Sequence, residues 1–324
     1  MKILLVGPLW ANAGHGAECG VYDALVELGH DVSVWDYRKR IYRIAGADRQ
    51  DLHNIDPNNP GDLIFGDTLE CEVTLVPGAG LQPEILESRL WRNTNGTLRV
   101  LWNSEPIRLG NYRGRVEANA SHFQLVFTFD ESEIPLYRDI GIEASFLPQA
   151  FNPKWYTPKK LPASQKWAEH LCFVGSIGDK WMNRVHFLNT VKQLGFKLHV
   201  VQGMFDGARV NDIYNSHDAV LNLGLYCKES GPAEDMRAFG LQQRIFESIG
   251  AGKVCVTNSV PEGTNEIFQD GEDILFYDAS NLREVLLRAI DKKERKKMEA
   301  NILEIRENHT YKARMERLLS IVGE

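Results

Sequence analysis

Short apolar runs recur along the chain, and most of them close on a glycine, an acid or an amide. In the first half they lie at residues 3–6, 32–36, 72–76, 98–102, 125–129 and 144–148. In the second half they lie at 171–174, 197–201, 219–223 and 254–256. Runs apolar on consecutive positions, rather than alternate ones, are those of parallel strands buried on both faces. Between them the period changes to that of a helix: Val21, Ala24, Leu25 and Leu28, then residues 86–91, 184–194, 281–290 and 311–322. Strands alternating with helices predict an α/β chain built on doubly wound parallel sheets.

The plan of strand, glycine turn, helix and strand occurs twice, at residues 3–36 and again from residue 171, without any repeat at the level of residues. Two Rossmann-like domains follow from that plan. Residues 1–150 form the first. Residues 151–168, with Pro153, Pro158, Pro162 and four lysines, read as a linker, and residues 169–308 form the second. Residues 38–70 are a polar excursion, and residues 291–297 a charge run of the kind found on a solvated helix face.

Composition narrows the classes. A net charge of -7 and a pI near 5.8 argue against bulk nucleic-acid binding. Cys19, Cys71, Cys172, Cys227 and Cys255 are scattered and never spaced C-x-x-C, which predicts no structural metal or disulfide and fits a reducing cytoplasm. No apolar run approaches the ~20 residues of a membrane span. The nine histidines form no H-x-x-x-H pair, and no Asp-x-Asp, G-x-S-x-G or Walker A sequence occurs.

The densest chemistry lies in one stretch. Ile245, Phe246 and Ile249 share a helix face, and Gly250 and Gly252 are expected to end that helix in left-handed backbone. Val254, Cys255 and Val256 then form a strand. Glu247 therefore rides on a helix leading into a sheet whose strand ends bind ligands. A carboxylate there suits a ribose diol; the bland alternative is an exposed helical glutamate. Arg244, one turn earlier, suits a diphosphate, or else simply an i, i+3 ion pair with Glu247. Gly175 and Ser176 at a strand end, Lys180, Arg184 and Arg237 are further candidates for holding phosphate.

The segment Arg244-x-Phe246-Glu247, with Gly250-Ala251-Gly252 and then Glu266-x-Phe268-x-Asp270-Gly271-Glu272-Asp273, resembles the donor-nucleotide segment of GT-B glycosyltransferases. It is most similar to the CgeB-like, spore-maturation-type branch. His309-Thr310-Tyr311 with Arg314, Phe127-Thr128-Phe129-Asp130 and Phe173-Val174-Gly175-Ser176 extend the resemblance over most of the chain. It implies two Rossmann-like domains facing a cleft, with residues 309–324 as a helix crossing back to the first domain. It implies a nucleoside diphosphate-sugar donor, UDP-sugar first, an unspecified acceptor, and a ribose-contacting role for Glu247. Together with the missing metal motifs, it implies a transferase that uses neither metal nor cofactor. The chain departs from the retaining GT-B pattern at Phe239, where a second glutamate is expected eight residues before Glu247. Glu229, Glu234 or Asp235 are the acids near enough in sequence to replace it.

The N-terminal half is expected to supply the acceptor side. His15, Glu105 and Asp130 fall in loops at or after strand ends, where a general base belongs, although strand-end acids are also common helix caps. In a retaining enzyme the leaving phosphate can take the proton instead. The loop through Gly14-His15-Gly16-Ala17-Glu18-Cys19-Gly20 allows three readings. Its glycines let backbone N–H groups approach a phosphate. It is also a near miss to the G-x-G-x-x-G dinucleotide fingerprint, with Asp36 as the ribose acid. Or it is a surface loop. An NAD-linked enzyme, a nucleotide-sugar epimerase and a non-catalytic nucleotide-binding module remain the alternatives to transfer.

Overall fold

The computed structural model describes residues 1–8, 16–37, 41–43, 53–54, 71–78, 80–107, 110–162, 170–177, 182–203, 206–224, 240–258 and 267–323. Of the residues singled out above, Gly14, His15, Lys180, Cys227, Glu229, Glu234, Asp235, Arg237, Phe239 and Glu266 lie outside the described residues. The chain divides into two compact units, Met1–Pro148 with Tyr311–Glu324, and Gln149–Thr310.

The first unit holds β1 (Lys2–Val6), β2 (Asp31–Asp36), β3 (Ile41–Arg43), β4 (His53–Asn54), β5 (Val73–Pro77), β6 (Leu98–Asn103), β7 (Leu125–Thr128) and β8 (Ala144–Phe146). They form one sheet in the order β4-β3-β2-β1-β5-β6-β7-β8. All neighbours from β2 to β8 are parallel, and β3 and β4 are antiparallel additions at the edge. Among the described residues, α1 (Ala17–Glu27), α2 (Pro83–Leu86), α3 (Arg89–Arg92), α4 (Gly110–Asn119) and α5 (Ile134–Asp139) connect the strands. Leu4, Leu5 and Val6 of β1 are wholly buried, as a central parallel strand requires.

The second unit is a smaller sheet. Its strands β9 (Leu171–Val174), β10 (Leu198–Val201), β11 (Ala219–Leu221), β12 (Val254–Asn258) and β13 (Leu275–Tyr277) run in the order β10-β9-β11-β12-β13, all parallel. Helices α6 (Met182–Gln193), α7 (Gly207–Ser216), α8 (Gln243–Gly250), α9 (Leu282–Ile290) and α10 (Lys292–Ile305) cover it. Asp291 caps α10 by accepting from Lys293 N and Glu294 N, so the charge run is the exposed start of a helix. The proline-rich stretch is built into this unit over its described part. Phe151 and Tyr156 are buried in its core, and Phe151 N donates to His309 O at 3.1 Å.

The last helix, α11 (Tyr311–Val322), belongs to the first unit. It lies along α1, and the Tyr311 ring covers Gly20 so closely that a Cβ there would sit 2.2 Å from it. Arg314 Nε donates to Pro148 O at 3.0 Å, and burial lowers its guanidinium to about 10. The expectation that Gly20 ends a glycine loop is therefore corrected. α1 already starts at Ala17, and Gly20 is a helical residue whose missing side chain admits a tyrosine ring. No helix among the described residues is long and apolar enough to cross a membrane.

Candidate functional site

In the second sheet, chain order runs outward in opposite directions from β9, so the connections from β9 and β11 leave on opposite faces. Open α/β sheets bind ligands outside the carboxyl ends of the strands at such a switch point. β9 opens there into Gly175-Ser176, and β11 into Asn222-Leu223-Gly224. Gly175 N stays in the ladder, donating to Val201 O at 3.0 Å.

Arg244, in the first turn of α8, reaches this edge. A Cβ on Gly175 would lie 2.5 Å from Arg244 Nη1 and 2.8 Å from the Phe173 ring. A larger residue here would have to push the guanidinium or the phenyl ring aside. Arg184, buried on α6, donates from Nη1 to Ser176 O at 3.1 Å and braces the same turn. One turn beyond Arg244, Glu247 is 3% exposed, and Tyr214 on α7 donates to its Oε2 at 3.4 Å. So Gly175, Ser176, Arg184 and Arg244, singled out from sequence, meet at one strand edge, and Glu247 lies one turn further along α8. Glu247 is buried rather than exposed on its helix.

Two amide rungs lock the neighbouring strand ends. Asn222 Nδ2 donates to Thr257 Oγ1 at 3.0 Å, and Gly224 N donates to Asn258 Oδ1 at 2.8 Å. Sequence reasoning missed Asn222, Asn258 and Tyr214. Asparagines immediately after apolar runs were the available signal for the first two; Tyr214 left none. The two glycines after α8 also differ from expectation. Gly252 has φ +70 and does end the helix in left-handed backbone. Gly250 is the last helical residue, with no positive φ, and is glycine because a Cβ would meet the Phe151 ring at 2.4 Å.

In the first unit, Glu105 follows β6 and is half-buried. Asn103 holds its backbone from both sides, with Nδ2 donating to Glu105 O at 2.7 Å and Oδ1 accepting from Glu105 N at 3.2 Å. Asp130 follows β7 and is 1% exposed. Its Oδ1 accepts from Ser132 N and Ser132 Oγ, so it caps the turn at Glu131–Glu133, while among the described residues none bonds to the buried Oδ2. Gly16 is the N-cap of α1 with extended backbone, φ -76 and ψ 161. A Cβ on it would lie 2.7 Å from Glu18 Oε2. An acid therefore already lies at this helix N-terminus. Asp36, the alternative ribose acid, is wholly buried at the end of β2. Among the described residues, no three His, Cys, Asp or Glu side chains gather into a metal-binding group.

Residues 165–320 match the family model for glycosyl transferase-like proteins. Three solved structures share the fold at 12% identity. Sucrose-phosphate synthase from Thermosynechococcus elongatus has a TM-score of 0.63, with 99% of each chain covered. Anabaena HepE in complex with UDP-glucose has 0.62, also with 99% of each covered. The E. coli trehalose-6-phosphate structure bound with UDP-2-fluoro glucose has 0.61, covering 99% of this chain and 98% of that one. No curated protein matches the sequence.

Proposed function

We propose, from the premise that the chain carries a glycosyltransferase domain of the GT-B fold, that its donor is a nucleoside diphosphate-sugar, UDP-sugar first, bound by the second unit. One observation carries this reading: the Arg244 guanidinium seated on Gly175 at the switch point of the sheet, with Glu247 one turn further along the same helix. A planar guanidinium at a strand-end glycine offers paired donors to a diphosphate. Ser176 and the backbone of the turn braced by Arg184 complete that side, and the Glu247 carboxylate takes the ribose diol. The UDP-glucose and UDP-2-fluoro glucose carried by two structural neighbours support the choice of base.

Transfer needs no metal in this scheme, because guanidinium and backbone donors neutralise the leaving diphosphate. Of the acids in the first unit, Glu105 is the better candidate for a base. It is half-buried and held at its backbone, whereas Asp130 is buried and spends one oxygen on a cap. His15 stays a candidate on its chemistry alone. The finer placement in the CgeB-like branch, and a cytoplasmic location, belong to the same proposal. The branch is supported by the Arg244-x-Phe246-Glu247 and His309-Thr310-Tyr311 segments.

A thermal-shift screen against nucleoside diphosphates, their sugars and NAD tests the reading. UDP should raise the melting temperature by mass action, and a UDP-sugar should release UDP when its acceptor is present. Failure of every nucleoside diphosphate to move the transition would sink the donor assignment, and stoichiometric NAD binding would replace it.

A further inference from the structure

Glu247 is held by a second buried group that has no direct part in the donor contacts described above. α7 packs beside α8, and its Tyr214 is wholly buried. The Tyr214 hydroxyl donates to Glu247 Oε2 at 3.4 Å. Burial first, and then the neighbouring Glu247 charge, push this phenol well above its ordinary range, while Arg244 pulls it down. The phenol therefore stays protonated and acts as a donor to the carboxylate at any ordinary pH.

Two further contacts fix where that hydroxyl points. Tyr156 stacks on the Tyr214 ring at 6.3 Å and 27°. Asn211 and Asn215, one helical turn apart on α7, grip the backbone of the preceding extended segment. Asn211 Nδ2 and Asn215 Nδ2 each donate to Thr157 O at 3.0 Å, and Lys159 N donates to Asn215 Oδ1 at 2.7 Å. A helix anchored at i and i+4 cannot turn about its axis. Tyr214, adjacent to Asn215, is thereby aimed at α8.

We propose that Tyr214 is a positioning residue for ribose recognition: its buried hydroxyl sets the Glu247 side chain so that the carboxylate meets the donor's ribose diol without reordering. The inference rests on reading Glu247 as the ribose acid. A free glutamate spreads over several rotamers, and freezing one of them before the ligand arrives removes an ordering cost from binding. Tyr214 makes no contact with the nucleotide in this role and acts only through Glu247.

The test compares UDP with 2′-deoxy-UDP on the intact chain by calorimetry, for the wild type, Tyr214→Phe and Glu247→Gln. The wild type should prefer UDP by about tenfold, the size of one charge-assisted hydrogen bond. Tyr214→Phe keeps the ring packing and removes only the hydroxyl. It should cut that preference to about threefold or less, leaving 2′-deoxy-UDP affinity within about twofold of wild type, because only preorganisation of the ribose contact is lost. Glu247→Gln should also lower the preference. Equal weakening of both nucleotides by Tyr214→Phe would mark a packing effect and overturn the proposal. So would an unchanged preference in Tyr214→Phe beside a lowered one in Glu247→Gln. A wild type that binds neither nucleotide overturns the donor reading itself, which separates that failure from this one.

Discussion

The first strand of each unit ends on a glycine, and the two glycines carry opposite charges against them. Gly7 N donates to Trp35 O at 3.0 Å, and Gly175 N donates to Val201 O at 3.0 Å. Each thus ties its strand end to the neighbouring strand in the same manner. Over Gly7, a Cβ would lie 3.0 Å from Glu18 Cγ; over Gly175, it would lie 2.5 Å from Arg244 Nη1. At both glycines a charged side chain lies over the strand end. In the first unit that side chain ends in a carboxylate, in the second in a guanidinium. The backbone alone therefore does not decide which edge takes an anion. A helix N-terminus attracts phosphate through its free N–H groups, but an acid in the first turn already answers that field. The Arg244 edge has the sign a diphosphate needs, and the Glu18 edge suits a hydroxyl- or ammonium-bearing group.

Reversing the sign at the second unit should break this contrast most strongly. Arg244→Glu replaces the proposed charge-assisted contact with a repulsion and should weaken UDP by about 3 kcal/mol, roughly a hundredfold in Kd by calorimetry. An affinity within a few-fold of wild type would show that the diphosphate lies elsewhere. Gly175→Ala attacks the same arrangement through space. It forces the guanidinium or the Phe173 ring aside, and should cost about 2 kcal/mol, shared between donor affinity and thermal stability. Glu247→Ala removes the proposed ribose acid and should weaken UDP by about 1.5 kcal/mol while the far-ultraviolet spectrum and cooperative melting persist. Loss of cooperative melting would mean that the carboxylate serves the fold.

The second unit's side of this contrast was legible beforehand, Glu18 over Gly7 was not, and what was missed has identifiable causes. Strands β9 and β12 could be read because a parallel strand buried on both faces is a continuous apolar run. Glu247 and Arg244 could be placed on one helix face because the helical period puts them there. The glycines were harder. Gly20 and Gly250 read as loop or helix-ending residues, yet each is a helical position under an aromatic ring, of Tyr311 or Phe151, from a distant part of the sequence. Glycine as a backbone device and glycine as a gap for a neighbour look alike until the neighbour is known. Tyr214 was invisible for the same reason: its meeting with Glu247 depends on how α7 and α8 pack, which no local pattern encodes.

The smallest expected effect is also the sharpest test of the comparison, because the two readings of the first unit predict opposite results. If the N-terminus of α1 held the donor phosphate, Glu18 would oppose it, and Glu18→Gln would tighten UDP several-fold by lifting a like-charge penalty. If the diphosphate is held only at Arg244, the same substitution should change UDP affinity by less than about 0.5 kcal/mol, within the range of surface substitutions away from a site. The substitution keeps the shape of the side chain, so the space over Gly7 and Gly16 stays filled and the packing is not at issue. Removing an acid from the first turn of α1 should cost the helix only about 0.3–1 kcal/mol of stability, readable as a small fall in Tm. A fall in Tm with unchanged UDP affinity is the outcome expected here. Tightened binding would assign the phosphate to the first unit and reverse the roles of the two strand edges.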